Sequence, residues 1–233
     1  MLLSQLAETA GVMPATIKYY RREGLLPPGR RVTATRQDYG QAHLDRLALI
    51  QVLRELVDAP IARIAELTAI LDDPEQPLLQ ALATAQHIVL GIPGPGGGGG
   101  GAGAAGAPER EEHPSLRPLL AELGWPDEGS APRRALDELL RTFEAWGMPA
   151  DLALLRRYAV PVAQMAREDV EAIRELHEED PAAPVSEDVQ VMRSVAGAVA
   201  YDRLIQLLRA LGHTSYSILH ARGDAARAGS GDG

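Results

Sequence analysis

The sequence predicts a mainly all-α protein made of two helical regions joined by a glycine-rich linker. Apolar residues recur at spacings of three and four along most of the chain, which is the period of an amphipathic helix. Residues 91–108 contain ten glycines and no charge, so they can neither favour a helix nor build a core. The pattern of a strand is confined to one candidate hairpin near residues 32–39.

Four short helices are predicted within residues 1–72, and a fifth within residues 73–90. The second helix begins at Pro14, which suits a first helical turn, and it ends before Gly24. The fifth helix has apolar residues at spacings of four, three and four, which is typical of a seam for a partner helix. We predict that this short helix mediates dimerisation, through Leu78, Leu82, Ala85 and Val89.

A second set of helical patterns fills residues 109–221, and we predict a helical effector or oligomerisation domain there. Pro161 is expected to break or kink one of its helices. The last helix is expected to lie at the centre of the bundle and to end at Gly212. Residues 91–108 would form a disordered tether spanning about 25 Å, and residues 222–233 a disordered tail.

Composition excludes several classes of protein. The chain of 233 residues has no cysteine, which excludes disulfide scaffolds, thiolate metal sensors and cysteine nucleophiles. Its six histidines include no pair at a spacing of three or four, so we predict neither a metal site nor a cofactor. There is no secretory leader and no run of 18 apolar residues, which predicts a cytoplasmic protein without a membrane partner.

Charge is distributed unevenly along the chain. Residues 1–54 hold eight Lys and Arg against four Asp and Glu, whereas the rest of the chain holds 15 against 28. This asymmetry indicates that the N-terminal end faces a polyanion while the acidic remainder keeps the protein soluble. Compositional drift between two domains is the alternative explanation.

The positive charge is concentrated around the second predicted helix. Two short helices separated by the residues AGV have the spacing of a helix-turn-helix, whose second helix enters the major groove of DNA. Tyrosine hydroxyls and arginine guanidinium groups are suitable donors to phosphate. The polar residues of this helix are Thr16, Lys18, Tyr19, Tyr20, Arg21 and Arg22.

With this stretch, residues 1–72 resemble the DNA-binding domain of the MerR family of bacterial transcription regulators. The segment LLSQLAETAGVMPATIKYYRREGLLPPGRR, followed by TRQDYGQAHLDRLALIQVLREL, carries the resemblance. Its most specific part is a basic residue, two aromatic residues, a glycine, two leucines and a proline between Lys18 and Pro27. The remainder resembles actinobacterial members with a helical C-terminal region.

The resemblance implies a winged helix-turn-helix that binds an inverted repeat as a homodimer, with RNA polymerase as a further partner at the promoter. The implied DNA-binding residues are Ala15, Thr16, Lys18, Tyr19, Tyr20, Arg21 and Arg22 on the recognition helix, and Arg30, Arg31, Thr33, Arg36 and Tyr39 in the wing. Tyr20 and Tyr39 have an alternative role in the core. Met13 occupies a position where the family has a Ser or Thr helix cap.

Three hypotheses about function follow. The first is a dimeric, sequence-specific transcription regulator that acts on double-stranded DNA and responds to an unknown small-molecule effector. The second is a module whose C-terminal bundle binds a small molecule or a protein, and the third, least supported by the motifs, is an enzyme. A ligand pocket would need aromatic lining, for which the candidates are Trp125, Phe143, Trp146, Tyr158 and Tyr201; each is equally explained as bundle core.

Overall fold

The computed structural model describes residues 1–33, 36–93, 111–127, 129–178 and 185–229, with side chains of residues 173–178 and 223–229 left undescribed. The described chain is mainly helical, as the sequence predicts, with a single short antiparallel hairpin. The helices are α1 (Leu3–Ala10), α2 (Pro14–Arg22), α3 (Gln41–Glu55), α4 (Ile61–Leu71), α5 (Leu78–Val89), α6 (Leu116–Leu123), α7 (Ala131–Ala145), α8 (Leu152–Glu178) and α9 (Glu187–Gly229), and the strands are β1 (Arg30–Arg31) and β2 (Gln37–Asp38).

The contacts divide the chain into two compact units. Unit 1 combines residues 1–89 with residues 186–233, and unit 2 comprises residues 90–185. This division differs from the predicted C-terminal domain of residues 109–221, because α9 packs on the N-terminal helices. Val191 and Val195 on α9 are 0% and 1% exposed within the core of unit 1.

The core of unit 1 is formed by the apolar faces of α1 to α5 and the start of α9. Its fully buried side chains are mostly leucine and isoleucine, and burying each of them stabilises the fold by about 1.5–3 kcal/mol. They are Leu6, Ile17, Leu25, Leu26, Leu47, Leu49, Ile50, Leu53, Ile64 and Leu67.

Helix α5 packs inside unit 1 through part of its predicted seam. Ala85 is 2% exposed, and Leu78, Leu82 and Val89 pack against the same core. The predicted dimerisation seam is therefore largely covered within the chain, because α5 lies against α4 and α9. The sequence could not show that a helix about 100 residues away in the sequence would return to this face.

Unit 2 has a separate core between α6, α7 and α8. Leu116, Leu119, Leu140 and Leu155 are buried there, with Phe143 packed against them. Ser130 caps α7 by accepting a hydrogen bond from the Arg133 backbone N–H at 3.3 Å, as its position before the apolar run indicates.

One predicted helix end is wrong, and a second helix is not broken where a break or a kink is predicted. Helix α8 continues through Pro161, which removes one backbone donor but lies at an exposed position where water can solvate the freed carbonyl. Helix α9 continues through Gly212, since one internal glycine costs only about 1 kcal/mol. It also extends to Gly229, into the region predicted as a disordered tail. Most of the predicted linker, from residue 94 onward, lies outside the described residues.

Within the described chain, no helix is long and apolar enough to cross a membrane.

Candidate nucleic-acid interface

Helix α2 has one buried face and one exposed basic face. Ile17 is fully buried and Tyr20 is 9% exposed, so these two side chains fix the helix on the core. Ala15, Lys18 and Arg22 are exposed. Because burial selects one side of the helix, the sequence of α2 itself dictates which polar residues face outward.

The two adjacent tyrosines have different environments. Tyr19 is half-buried, and the Arg22 guanidinium carbon lies 5.2 Å from the centre of its ring, which holds the cation beside the phenol. Burial raises the pKa of Tyr20 above its ordinary value. Tyr20 therefore belongs to the core, which favours the structural of its two predicted roles, while Tyr19 is only half-buried.

The hairpin of β1 and β2 forms a wing beside α2. Arg30 pairs with Asp38 and Arg31 with Gln37 in the antiparallel register. Arg30, Arg31 and Arg36 are all exposed. The Thr33 hydroxyl accepts a hydrogen bond from the Arg36 backbone N–H at 3.1 Å, so Thr33 also has a structural role in the wing.

A buried tyrosine joins the wing to α2. Tyr39 is 3% exposed, which favours the structural of its two predicted roles. Its hydroxyl accepts a hydrogen bond from Arg21 Nη1 at 2.9 Å and donates to Gln37 Oε1 at 3.1 Å. Gly29 leaves room for the Tyr39 ring, because a Cβ there would lie 3.0 Å from it and 2.9 Å from the Asp38 carbonyl oxygen. Sequence reasoning missed this requirement at Gly29.

An open cavity of about 480 Å³ lies between α2, the wing and the start of α1. Three arginines line it, Arg21, Arg31 and Arg36, together with Leu2, Leu3, Ser4, Gln37 and Tyr39. Arg21 Nε is buried and finds no acceptor among the described residues. A buried guanidinium donor without an acceptor, in a cavity lined by further arginines, suits a phosphate oxygen.

Arg46 links three segments of unit 1. Sequence reasoning did not identify this role. It is 4% exposed, and it donates through Nη2 to Asp72 Oδ1 at 2.7 Å and through Nε to Asp188 at the start of α9. Burial alone would lower the pKa of Arg46, but hydrogen bonds to Asp72 and Asp188 outweigh it and hold the pKa above its ordinary value. Arg46 is therefore a structural cation.

The start of α9 makes a second polar contact with α3. The Ser186 hydroxyl donates to Asp45 Oδ2 at 2.7 Å, and Ser186 Oγ accepts a hydrogen bond from the Val189 backbone N–H at 3.4 Å. Ser186 therefore caps α9, as its position in the sequence indicates, and also ties the helix to α3.

Most of the side chains predicted to line a ligand pocket are exposed. Trp125, Trp146, Tyr158 and Tyr201 are 38–69% exposed, and Phe143 packs in the core of unit 2. A surface cavity of about 570 Å³ is lined by Trp125 with residues 126, 127, 129 and 130, and by none of the other four. Among the described residues there is also no cluster of three metal-ligating side chains.

Comparison with known proteins identifies the N-terminal segment. The family model described as the MerR HTH family regulatory protein matches residues 1–69. A ZntR homolog of Haemophilus influenzae, an HTH-type transcriptional regulator, is 38% identical over 56 residues, which are 24% of this chain and 42% of that protein. The match therefore spans less than half the length of this relative.

Two further matches extend beyond that segment. A Haemophilus influenzae protein named "Probable heavy metal-dependent transcriptional regulator" is 33% identical over 89 residues, 38% of this chain and 69% of that protein. The crystal structure of SCO5550 from Streptomyces coelicolor A3(2), a provisionally assigned transcriptional regulator, aligns with a TM-score of 0.58 and 26% identity. That alignment covers 93% of this chain and 96% of SCO5550. The chain belongs to the MerR family of helix-turn-helix transcriptional regulators.

Proposed function

We propose that this protein binds an inverted repeat in double-stranded DNA as a homodimer and regulates transcription from the adjacent promoter, in the cytoplasm. The observation that carries the proposal is the continuous basic surface formed by the exposed face of α2, the wing and the cavity between them. Helices of this kind place their exposed side chains against base edges in the major groove. The residues of this surface are Ala15, Thr16, Lys18, Tyr19, Arg21, Arg22, Arg30, Arg31, Thr33 and Arg36.

Different parts of the surface have different tasks. Lys18 and Tyr19 lie on the face of α2 that would enter the groove, where they read bases or hold the helix in register. Arg31 and Arg36 lie in the wing and have side chains long enough to grasp the backbone beside the groove. Arg21 has a partly buried guanidinium group with one unused donor, which fits a single phosphate approached through the cavity.

The proposal is tested by measuring the affinity of the full chain for a duplex from its own upstream region as a function of salt. Each protein–phosphate contact contributes a slope of about −0.9 to the plot of log K against log salt concentration. We expect Arg31→Ala to lower affinity more than tenfold and to make the slope shallower by about one unit per copy bound. Thermal stability should not change, because Arg31 is exposed.

Matched variants separate specific contacts from loss of charge. Arg167→Ala removes the same charge from an exposed position on α8 and should leave affinity unchanged. Tyr19→Phe removes a hydroxyl while keeping the half-buried ring, so it tests the phenol without disturbing packing. Equal weak binding to every duplex, or unchanged affinity in both Arg31→Ala and Tyr19→Phe, would contradict the proposal.

An effector is not part of this proposal, because four of the five candidate pocket side chains are exposed and Phe143 packs in the core of unit 2.

A further inference from the structure

Tyr39 is held from several sides between the wing and the start of α3. Its backbone N–H donates to the Met1 carbonyl oxygen at 2.9 Å. Its ring lies nearly perpendicular to the His43 ring, with the two centres 5.1 Å apart, and it also lies against Gly29. A buried ring that is packed in this way has few alternative positions. The packing of the ring therefore fixes where the Tyr39 hydroxyl lies.

The Tyr39 hydroxyl passes this position on to Arg21 through a directed chain of hydrogen bonds. A guanidinium group can only donate, so Arg21 Nη1 donates to the Tyr39 hydroxyl oxygen at 2.9 Å. The hydroxyl hydrogen is then directed to Gln37 Oε1 at 3.1 Å. Gln37 thereby keeps the lone pairs of the hydroxyl oxygen available to Arg21, and the three side chains join α2 to the wing as one unit.

The contact with Tyr39 leaves one edge of the Arg21 guanidinium group unused. This edge carries the parallel N–H bonds of Nε and Nη2, and neither nitrogen donates to an acceptor within the described chain. Two parallel donors match two oxygens of one phosphate group. The cavity that Arg21 shares with Arg31 and Arg36, about 480 Å³ in volume, has room for such a group, and no Asp or Glu is among its lining residues.

We propose that Tyr39 is a positioning residue for DNA binding, which holds Arg21 so that its Nε and Nη2 donate to one backbone phosphate in this cavity. The inference rests on the proposed function and deepens it, because it gives a task in DNA binding to a tyrosine that is itself buried. A phosphate contact positions the protein and carries no sequence information. Tyr39 should therefore affect the affinity for every duplex and leave the preference between sequences unchanged.

The first test is a double-mutant cycle on the full chain, with duplex affinity measured by fluorescence anisotropy at fixed salt. Tyr39→Phe keeps the buried ring and removes only the hydroxyl, so duplex affinity should fall about fivefold to tenfold. Arg21→Met removes the phosphate contact itself, and in that background Tyr39→Phe should change affinity by less than about twofold. In an Arg31→Ala background the full loss should remain.

A tyrosine that only supported the fold of the wing would give a different pattern. Tyr39→Phe would then act on the wing arginines, so its effect would disappear in the Arg31→Ala background and persist in the Arg21→Met background. That pattern, or unchanged affinity in Tyr39→Phe, would overturn the inference.

Gln37→Met provides a second variant that leaves both Tyr39 and Arg21 in place. It removes the acceptor of the Tyr39 hydroxyl while keeping a side chain of similar length. Affinity should fall severalfold in the wild-type background and stay unchanged in the Tyr39→Phe background. An equal loss in both backgrounds would contradict the directed chain of hydrogen bonds.

Competition distinguishes a DNA phosphate from a free phosphate ion as the occupant of the cavity. At matched ionic strength, about 10 mM inorganic phosphate should lower the duplex affinity of the wild type no more than chloride does, because the ion lacks the neighbouring phosphates of a duplex. Stronger inhibition of the wild type that is absent in Arg21→Met would assign the cavity to a free phosphate ion and overturn the DNA contact.

The two proposals fail in different ways, because any duplex presents phosphates and the cycle can be repeated on an arbitrary one. If all duplexes are bound weakly and equally but Tyr39 is coupled to Arg21, the positioning role stands and the proposed function is wrong. If the wild type prefers its own upstream duplex but the cycle shows no coupling, the proposed function stands and the positioning role is wrong. Absence of binding to every duplex would overturn both.

Discussion

Replacing Arg46 by methionine should destabilise unit 1 by about 3–5 kcal/mol, since removing one partner of a buried ion pair leaves the other charge uncompensated. Asp188 is the partner that matters, because its side chain is only 15% exposed. Asp72 is 46% exposed and can be solvated when Arg46 is lost, so Asp72→Asn should cost only about 0.5–1 kcal/mol. The predicted difference between the two variants follows from these exposures.

Urea denaturation of the full chain, followed by circular dichroism, measures this effect. With a slope of about 2 kcal/mol per molar urea, Arg46→Met should lower the midpoint of unit 1 by about 1.5–2.5 M. The double variant Arg46→Met with Asp188→Leu should recover much of that loss, because an apolar pair of similar size can replace a buried ion pair. A midpoint shift below about 0.3 M for Arg46→Met, or an equal shift for Asp72→Asn, would refute the reasoning.

Two further predictions concern stability. Met13→Ser should stabilise α2 by about 1 kcal/mol and raise the melting temperature by about 2–4 °C, because Met13 is the N-cap and makes no side-chain cap bond. Met13→Ala is the control, and an equal rise in the melting temperature of that variant would exclude capping as the cause. In unit 2, hydrogen bonds from Arg133 hold the pKa of Glu112 below its ordinary value. The contact therefore stabilises unit 2 fully above about pH 4.3, and this stabilisation is lost as the pH falls through the lower pKa of the folded state. Glu112→Gln should therefore cost about 1 kcal/mol at pH 7 and almost nothing at pH 2 in thermal melts, and a cost that does not change with pH would contradict this assignment.

Periodicity was sufficient to predict the helices and the basic face of α2. The pattern around Ile17 and Tyr20 determines which side of α2 is buried, so the exposed positions of Lys18 and Arg22 follow from local sequence. The continuation of α8 through Pro161 and of α9 through Gly212 was less predictable, because the helix propensity of neighbouring residues outweighs a local cost of a few kcal/mol.

Long-range contacts were not predictable from one sequence. Arg46 fits the pattern of an ordinary polar residue of α3, and only the return of α9 brings Asp188 within reach of it. Gly29 likewise gave no local signal, since its small size matters only because the Tyr39 ring lies against it. Both features depend on residues that meet through the tertiary fold.

The return of α9 to unit 1 has a consequence for biosynthesis. Residues 1–89 leave the ribosome well before residues 186–195, and until then the apolar surface beside Ala81, Ala85 and Ile88 lacks the valines that cover it. Closing the intervening loop costs chain entropy that grows only slowly with its length. A product that stops before residue 186 would thus leave this apolar surface uncovered, so the packing of the N-terminal helices depends on residues that are made late in translation.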